Sequence, residues 1–396
     1  MTDHIKPDIL HLEACNFLDK PMGGQLTFSR QLMKVLGNRL ALVGWASDPS
    51  EPVGSWFDKE IEGTIYRYFA ICPETSSARK PIIPARLSTY FQIKRHIPQI
   101  LSIGIKNIIV EEHTILMAMD LGAVTYNLCY CFPGVEAPLS ISRYPFVKVL
   151  AEKFDSSFFN ALQKTTSCVL AAADQLAIDG LYTRAGERMK GIKVTSFPTR
   201  VDTSLFHPAE RVTVRHKLGL PDDAIIAVTT GRIHWAKGWP FLLDSFKLFH
   251  NQFPSSVLVY LGDGAERGLL EQKIIEAGLK QSVIVAGYQS PTAIATYLQA
   301  ADLFVMGSFK EGWSTVLVEA LACHVPTVTT RFSSADTIVQ QGKNGFVMDD
   351  RDPHTFSKAM VDALKLKDVA GYADSVIDNY ALDNLARDLF KVWPLI

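Results

Sequence analysis

One stretch restricts the fold of this chain more than any other: residues 308–330, SFKEGWSTVLVEALACHVPTVTT. Ahead of it, residues 300–306 (AADLFVM) form a short, mostly apolar run with the length of a buried strand. Gly312 interrupts the apolar pattern. Ser314 is a good N-cap, because its hydroxyl can accept a hydrogen bond from a free N–H of a first helical turn. Val316, Leu317, Ala320 and Leu321 then recur at helical spacing. Pro326 lies just past the expected helix end, in a stretch that turns β-branched. Buried strand, loop, amphipathic helix and second strand, in that order, are the repeating unit of a sheet with helices on its faces.

The alternation runs through the chain. Residues 8–12 read as a strand, followed by a loop ending at Gly23 and Gly24, a helix over 25–36 with Leu26, Leu32, Met33 and Leu36 inward, and a strand over 40–45. Residues 61–71 are strand-rich, and 107–110, 124–130 and 167–171 are further buried strands. Prolines and polar residues cluster over 197–210, which marks a linker. Beyond it come strands over 224–230, 257–261 and 283–286, a helix over 240–250, and a mostly helical tail from 352 onward. The reading is two doubly wound α/β domains: 1–197, then 198–375, with a final segment 376–396.

Composition removes several function classes. A length of 396 residues, 47% hydrophobic and 20% charged, suits a soluble protein of two to three domains. A net charge of −1 excludes a generally basic nucleic-acid binder, so nucleic acid is not an expected partner. The six cysteines (15, 72, 129, 131, 168 and 323) form no metal-ligand spacing, and reduced thiols in a cytoplasmic protein are expected. The N-terminal residues carry acids early and no long apolar core, and no run of eighteen apolar residues exists, so neither a signal peptide nor a membrane span is expected.

The polar residues around the strand ends suggest a chemistry. A helix start near Ser314 and Thr315 offers unpaired N–H groups and the positive end of a dipole, a seat for phosphate. Glu311 and Glu319 flank that start. Carboxylates would repel a phosphate but accept hydrogen bonds from hydroxyls, as on a ribose and a hexose. Arg232 and Lys237 (GRIHWAKG, 231–238) occupy a strand-to-helix loop, where parallel sheets bind ligands, and can neutralise a diphosphate. Nucleotide base and sugar would be read by loop contacts near Tyr288 and residues 312–315. No metal and no cofactor are expected; the sugar nucleotide is a substrate.

Glu311 and Glu319 have the E-x7-E spacing. Together with G-R-x4-K-G, GDGAER (262–267) and GKNGF (342–346), they make the chain resemble the retaining glycosyltransferases of the GT-B fold, family 4-like or bacterial group 1. The resemblance covers about 195–365 closely and the first half more loosely. It implies two Rossmann-like domains facing a cleft, an acceptor-side domain followed by a nucleotide-sugar domain, with C-terminal helices packing back on the first. It further implies Glu311, Arg232 and Lys237 as catalytic residues. Gly23, Gly24, Arg232, Lys237, Tyr288, Glu311, Gly312, Trp313, Ser314, Thr315 and Glu319 would bind the donor. The implied partners are a nucleotide-diphospho-sugar and a glycan or polyprenyl-linked acceptor. A nucleotide-sugar 2-epimerase, a phosphorylase and a non-enzymatic sugar-nucleotide binder use the same scaffold and remain open.

Three departures from the family pattern stand out. Cys129, Tyr130 and Cys131 occupy the strand where many members carry a donor-touching histidine, Arg200 replaces a glycine, and His324 stands where a glycine usually ends the helix. A small stability cost is expected at His324. One segment is unabsorbed: residues 75–100 hold Arg79, Lys80, Arg86, Lys94 and Arg95, no acid, and interleaved apolar residues. It reads either as a solvated helix face or as a peripheral contact with an anionic membrane at the inner face of the cell.

Overall fold

The structure is a computed structural model that describes residues 6–18, 24–73, 85–119, 125–132 and 151–396. The chain divides into two compact units, one of Met1–Thr199 with Asp383–Ile396, the other of Arg200–Leu382.

The first unit is built on an eight-stranded sheet in the order β3-β4-β2-β1-β5-β6-β7-β8. The strands are β1 (Ile9–Leu12), β2 (Leu40–Gly44), β3 (Trp56–Ile61), β4 (Thr64–Ala70), β5 (Asn107–Val110), β6 (Asn127–Phe132), β7 (Cys168–Ala171) and β8 (Val194–Ser196). All neighbours are parallel except β3, which pairs antiparallel with β4. Its hairpin turns on Glu62 (φ 50°) and Gly63 (φ 79°), the two positive φ values that let a two-residue loop follow the strand twist. The helices are α1 (Gly24–Leu36), α2 (Ala85–Leu101), α3 (His113–Ala118), α4 (Ala151–Thr165) and α5 (Gln175–Ala185). Leu26, Leu32, Met33 and Leu36 of α1 are all buried, the stripe that its sequence periodicity requires.

The second unit carries a six-stranded, all-parallel sheet in the order β11-β10-β9-β12-β13-β14. Its strands are β9 (Ile226–Thr230), β10 (Val257–Leu261), β11 (Val283–Gly287), β12 (Leu303–Met306), β13 (Thr327–Thr330) and β14 (Gly345–Met348). The helices are α6 (Arg211–Leu218), α7 (Trp239–Gln252), α8 (Arg267–Glu276), α9 (Pro291–Ala300), α10 (Thr315–Ala322), α11 (Ala335–Ile338), α12 (Pro353–Ala363) and α13 (Val369–Tyr380). Alternate strand residues face opposite sides. Ala227, Leu258, Leu303, Val305 and Val328 pack with α7, α8 and α12 on one face. Val228, Val259, Phe304 and Met306 pack with α9, α10 and α13 on the other. Helix α13 therefore belongs to this unit, and the chain leaves it at Leu382.

The last helix, α14 (Leu385–Val392), lies in the first unit. There the buried Trp393 indole donates to Asn127 Oδ1 at 2.9 Å, and Ile396 N donates to Asn107 Oδ1 at 3.0 Å. Both sheets are doubly wound, so each unit is Rossmann-like.

Candidate active site

In the second unit, β9 leads outward to β10 and β11, and the chain then crosses back to β12, β13 and β14 on the other side of β9. The carboxyl ends of β9 and β12 are thus the topological switch point, where open parallel sheets bind ligands. Two loops leave these ends. The first, 231–238, closes with a 3-10 turn at Trp235–Lys237 and with Gly238 in the left-handed conformation at φ 70°. A Cβ on Gly238 would lie 1.9 Å from the Gly307 carbonyl oxygen, so only glycine lets the two loops run this close. Phe309 N donates to Ala236 O at 2.9 Å, a direct tie between them.

The second loop, 307–314, is pinned from behind. Thr330 Oγ1 donates to Ser308 O at 2.8 Å, and Ser333 Oγ to the carbonyls of Glu311 and Gly312 at 3.1 and 3.0 Å. Arg351 donates to the Gly307 and Ser308 carbonyls, 2.7 Å each. The loops so held bring Lys237 Nζ and Glu311 Oε1 together as an ion pair, both side chains largely shielded from solvent. Arg232 is exposed on the first loop and, among the described residues, has no ion-pair partner. The hydroxyls of Thr230 and Ser308 are buried and have no hydrogen-bond partner among the described residues, a cost that a polar ligand would relieve.

Helix α10 begins at Thr315 with Ser314 at its N-cap position. The expected capping bond is not made: the Ser314 hydroxyl turns to the Met306 sulfur at 3.4 Å. Ser314 is buried, so its hydroxyl is satisfied inside the protein rather than by water. At the other end of α10, Val325 N donates to Ala320 O and His324 N to Leu321 O, at 3.0 and 2.8 Å, the paired bonds of a left-handed helix stop. His324 has φ 57°, and its Nε2 lies 2.8 Å from Asp374.

Lys237, Glu311, Gly312, Ser314 and Thr315 thus sit together at the switch point, with Arg232 on the loop that carries Lys237. Glu319 follows one helical turn into α10, half-buried, and burial pushes its carboxyl up to about 7. Trp313 packs inward on Tyr380, ring centroids 4.8 Å apart. Tyr288 is exposed just past β11, the edge strand on the far side of β10. Gly24 opens α1 in the other unit, and Gly23 lies outside the described residues.

Sequence reading passed over a buried polar chain at the switch point of the first unit, between β1 and β5. Ser29 donates to Glu111 Oε1 at 2.8 Å, and His11 Nε2 lies 3.0 Å from Ser29 Oγ. Burial lowers His11 to about 4 and raises Glu111. Its residues are far apart in sequence, so only a guess of both strand ends could have joined them. His113, Cys129, Tyr130 and Cys131 are buried as well, and Tyr130 packs on Phe132 and Phe158.

Of the basic segment, Arg79 and Lys80 lie outside the described residues. Helix α2 turns Leu87, Phe91, Lys94 and Arg95 outward, and Lys94 Nζ sits 5.4 Å from the Tyr90 ring centroid. Among the described residues no helix is long and apolar enough to cross a membrane.

Residues 210–379 match the family model for glycosyl transferases group 1, a span inside the second unit. A D-inositol 3-phosphate glycosyltransferase of Corynebacterium urealyticum is 30% identical over 206 residues, 48% of this chain and 49% of that protein. The lipopolysaccharide core biosynthesis glycosyltransferase LpsE of Rhizobium meliloti is 33% identical over 146 residues, 37% and 41% of the two chains. The chain therefore spans about half the length, or less, of these relatives. In fold it is similar to Anabaena Alr3699/HepE, solved in complex with UDP-glucose: TM-score 0.68 and 18% identity over 97% of this chain and 98% of that one.

Proposed function

We propose that this chain, whose residues 210–379 are a group 1 glycosyltransferase domain, moves a sugar from a nucleotide-diphospho-sugar to a glycan or polyprenyl-linked acceptor. It does so with retention of anomeric configuration and without a metal ion. One observation carries the reading. At the switch point of the second unit, Lys237 and Glu311 meet beside the start of α10, with Arg232 exposed on the same loop.

As the sugar bond breaks, charge builds on the leaving diphosphate. A guanidinium fork, an ammonium and a helix start stabilise it there without the reorganisation that water would need. In the unliganded protein Lys237 and Glu311 hold each other in place. A diphosphate competes for Lys237 and releases Glu311 to accept hydrogen bonds from the sugar hydroxyls, while Glu319 accepts from the ribose. The acceptor hydroxyl attacks on the face that the diphosphate leaves, and a phosphate oxygen takes its proton. UDP-glucose bound to a protein of the same fold supports the ligand class. The likeness to LpsE, a lipopolysaccharide core biosynthesis glycosyltransferase, supports a cell-surface glycan as the product.

A thermal-shift panel of UDP-, GDP- and ADP-sugars tests the reading, since a ligand at a hundred times its Kd stabilises the native state by about 2.7 kcal/mol. One donor class should raise Tm. A panel with no response would sink the proposal, and an epimer accumulating without acceptor would replace transfer by epimerisation.

A further inference from the structure

Each of the two loops at the switch point also presents an aromatic ring that the chemistry above does not use. Trp235 is 58% exposed and Phe309 48%. Their exposure is not looseness. The Phe309 ring lies 5.7 Å from the Trp235 ring, centroid to centroid, with the planes at 58°. Behind it the Arg351 guanidinium sits 3.8 Å from the Phe309 centroid, itself locked by the Gly307 and Ser308 carbonyls. The His234 ring is 5.7 Å from the Trp235 ring, centroid to centroid, with the planes at 41°. Arg351, Phe309, Trp235 and His234 form a ladder whose members come from three separate loops.

The ladder has a definite place on the sheet. The turn carrying Trp235 runs into α7 and the residues after Arg351 into α12, both on the face with α8. Tyr288, Ser314 and Glu319 border or belong to α9 and α10, on the opposite face. The Lys237–Glu311 pair lies between. If the nucleoside takes the side of α9 and α10, the acceptor must reach the donor sugar from another side, and the ladder occupies one.

We propose that Trp235, braced by Phe309 and Arg351, is the stacking platform for a pyranose ring of the acceptor. A pyranose with several C–H bonds on one face offers an apolar patch of about the area of an indole, and those hydrogens meet the negative face of the π system. A braced ring with two side-chain torsions loses little freedom on binding. The inference rests on the glycosyltransferase reading, which supplies the acceptor.

Saturation-transfer NMR tests it on the full chain, with methyl α-D-glucopyranoside, methyl β-D-galactopyranoside and methyl α-D-mannopyranoside as probes, with and without UDP. Irradiating aromatic protons should mark the ring C–H signals of at least one glycoside. Trp235→Ala should weaken that binding at least fivefold, Trp235→Phe should retain part of it, and UDP affinity should stay within twofold in both. No transfer to any glycoside, or transfer that persists in Trp235→Ala, overturns the platform. Saturation transfer only to the glucose ring of UDP-glucose, added as a further probe, with its affinity lowered in Trp235→Ala, assigns the ring to the donor sugar and overturns the acceptor. Glycoside binding without any nucleotide binding would retain a sugar platform while overturning the donor site, so the two failures are distinguishable.

Discussion

Lys237 and Glu311 each depend on the other for position, and that coupling sets what substitutions do. Lys237→Ala would remove the charge-assisted bond proposed to the diphosphate, worth about 1.5–3 kcal/mol, and take away the ion-pair partner of Glu311. A fall in kcat/KM of roughly ten- to a hundredfold or more is expected, and the same for Arg232→Ala; wild-type turnover in either variant would remove the diphosphate assignment. Glu319 gives a test with a definite sign. Its carboxyl ionises near 7 in the folded chain and near the ordinary carboxylate value when unfolded. Between those values the native state holds more protons, so this residue costs stability as pH rises, and the cost is complete above 7. Glu319→Gln should stabilise the unliganded protein at pH 8 by up to about 3 kcal/mol, a gain that vanishes below about pH 4.5, while weakening nucleotide binding. Denaturant melts at pH 8 and pH 4.5 would measure the first effect, and equal stability of the two proteins at pH 8 would contradict it.

At the scale of elements, α10 is packed into the second unit, whereas α2 presents an exposed face in the first. Helix α10 is short and ends in a strained left-handed residue, and the bond of His324 to Asp374 on α13 compensates for the absent glycine. Helix α2 instead keeps Leu87 and Phe91 in water beside Lys94 and Arg95, an arrangement that suits an interface between acyl chains and anionic headgroups. Each cation near such a surface contributes about 1 kcal/mol, and the attraction decays over a Debye length of about 8 Å at physiological salt. Binding to phosphatidylglycerol vesicles should therefore fade as salt rises, and Phe91→Ser with Lys94→Ser and Arg95→Ser should weaken it. Retention on vesicles that is indifferent to these changes would return α2 to an ordinary solvated face.

For the whole molecule, the division into two units separates these effects. Helix α2 belongs to the first unit, and the Arg232, Lys237 and Glu311 site to the second. The α2 substitutions should leave affinity for a soluble sugar nucleotide unchanged, as isothermal titration can establish. Protein cations and the α10 dipole are assigned the leaving-group charge, so turnover should survive EDTA. Abolition by EDTA, with rescue by Mg²⁺ or Mn²⁺, would contradict that assignment.

Local pattern alone determined β9 to β13 and helices α7 and α10 of the second unit, because buried parallel strands read as short apolar runs and the helices between them keep a 3.6-residue stripe. The strands over 107–110 and 257–261 coincide with β5 and β10 to the residue. Residue types within a loop, such as Arg232 and Lys237, or within one helix turn, such as Glu319 after Thr315, were legible for the same reason: their neighbours are neighbours in sequence. The β3 hairpin strand was passed over although Glu62-Gly63 marks its turn, because β3 alternates exposed and buried residues and shows no apolar run. Tertiary structure alone decided the rest. It paired Lys237 with Glu311, packed Trp313 on Tyr380, sent the Ser314 hydroxyl to Met306, and brought Arg351, Phe309 and Trp235 side by side. Each of these depends on which strands become neighbours, and the crossing from β11 back to β12 beside β9 is a property of the whole sheet that no local pattern encodes.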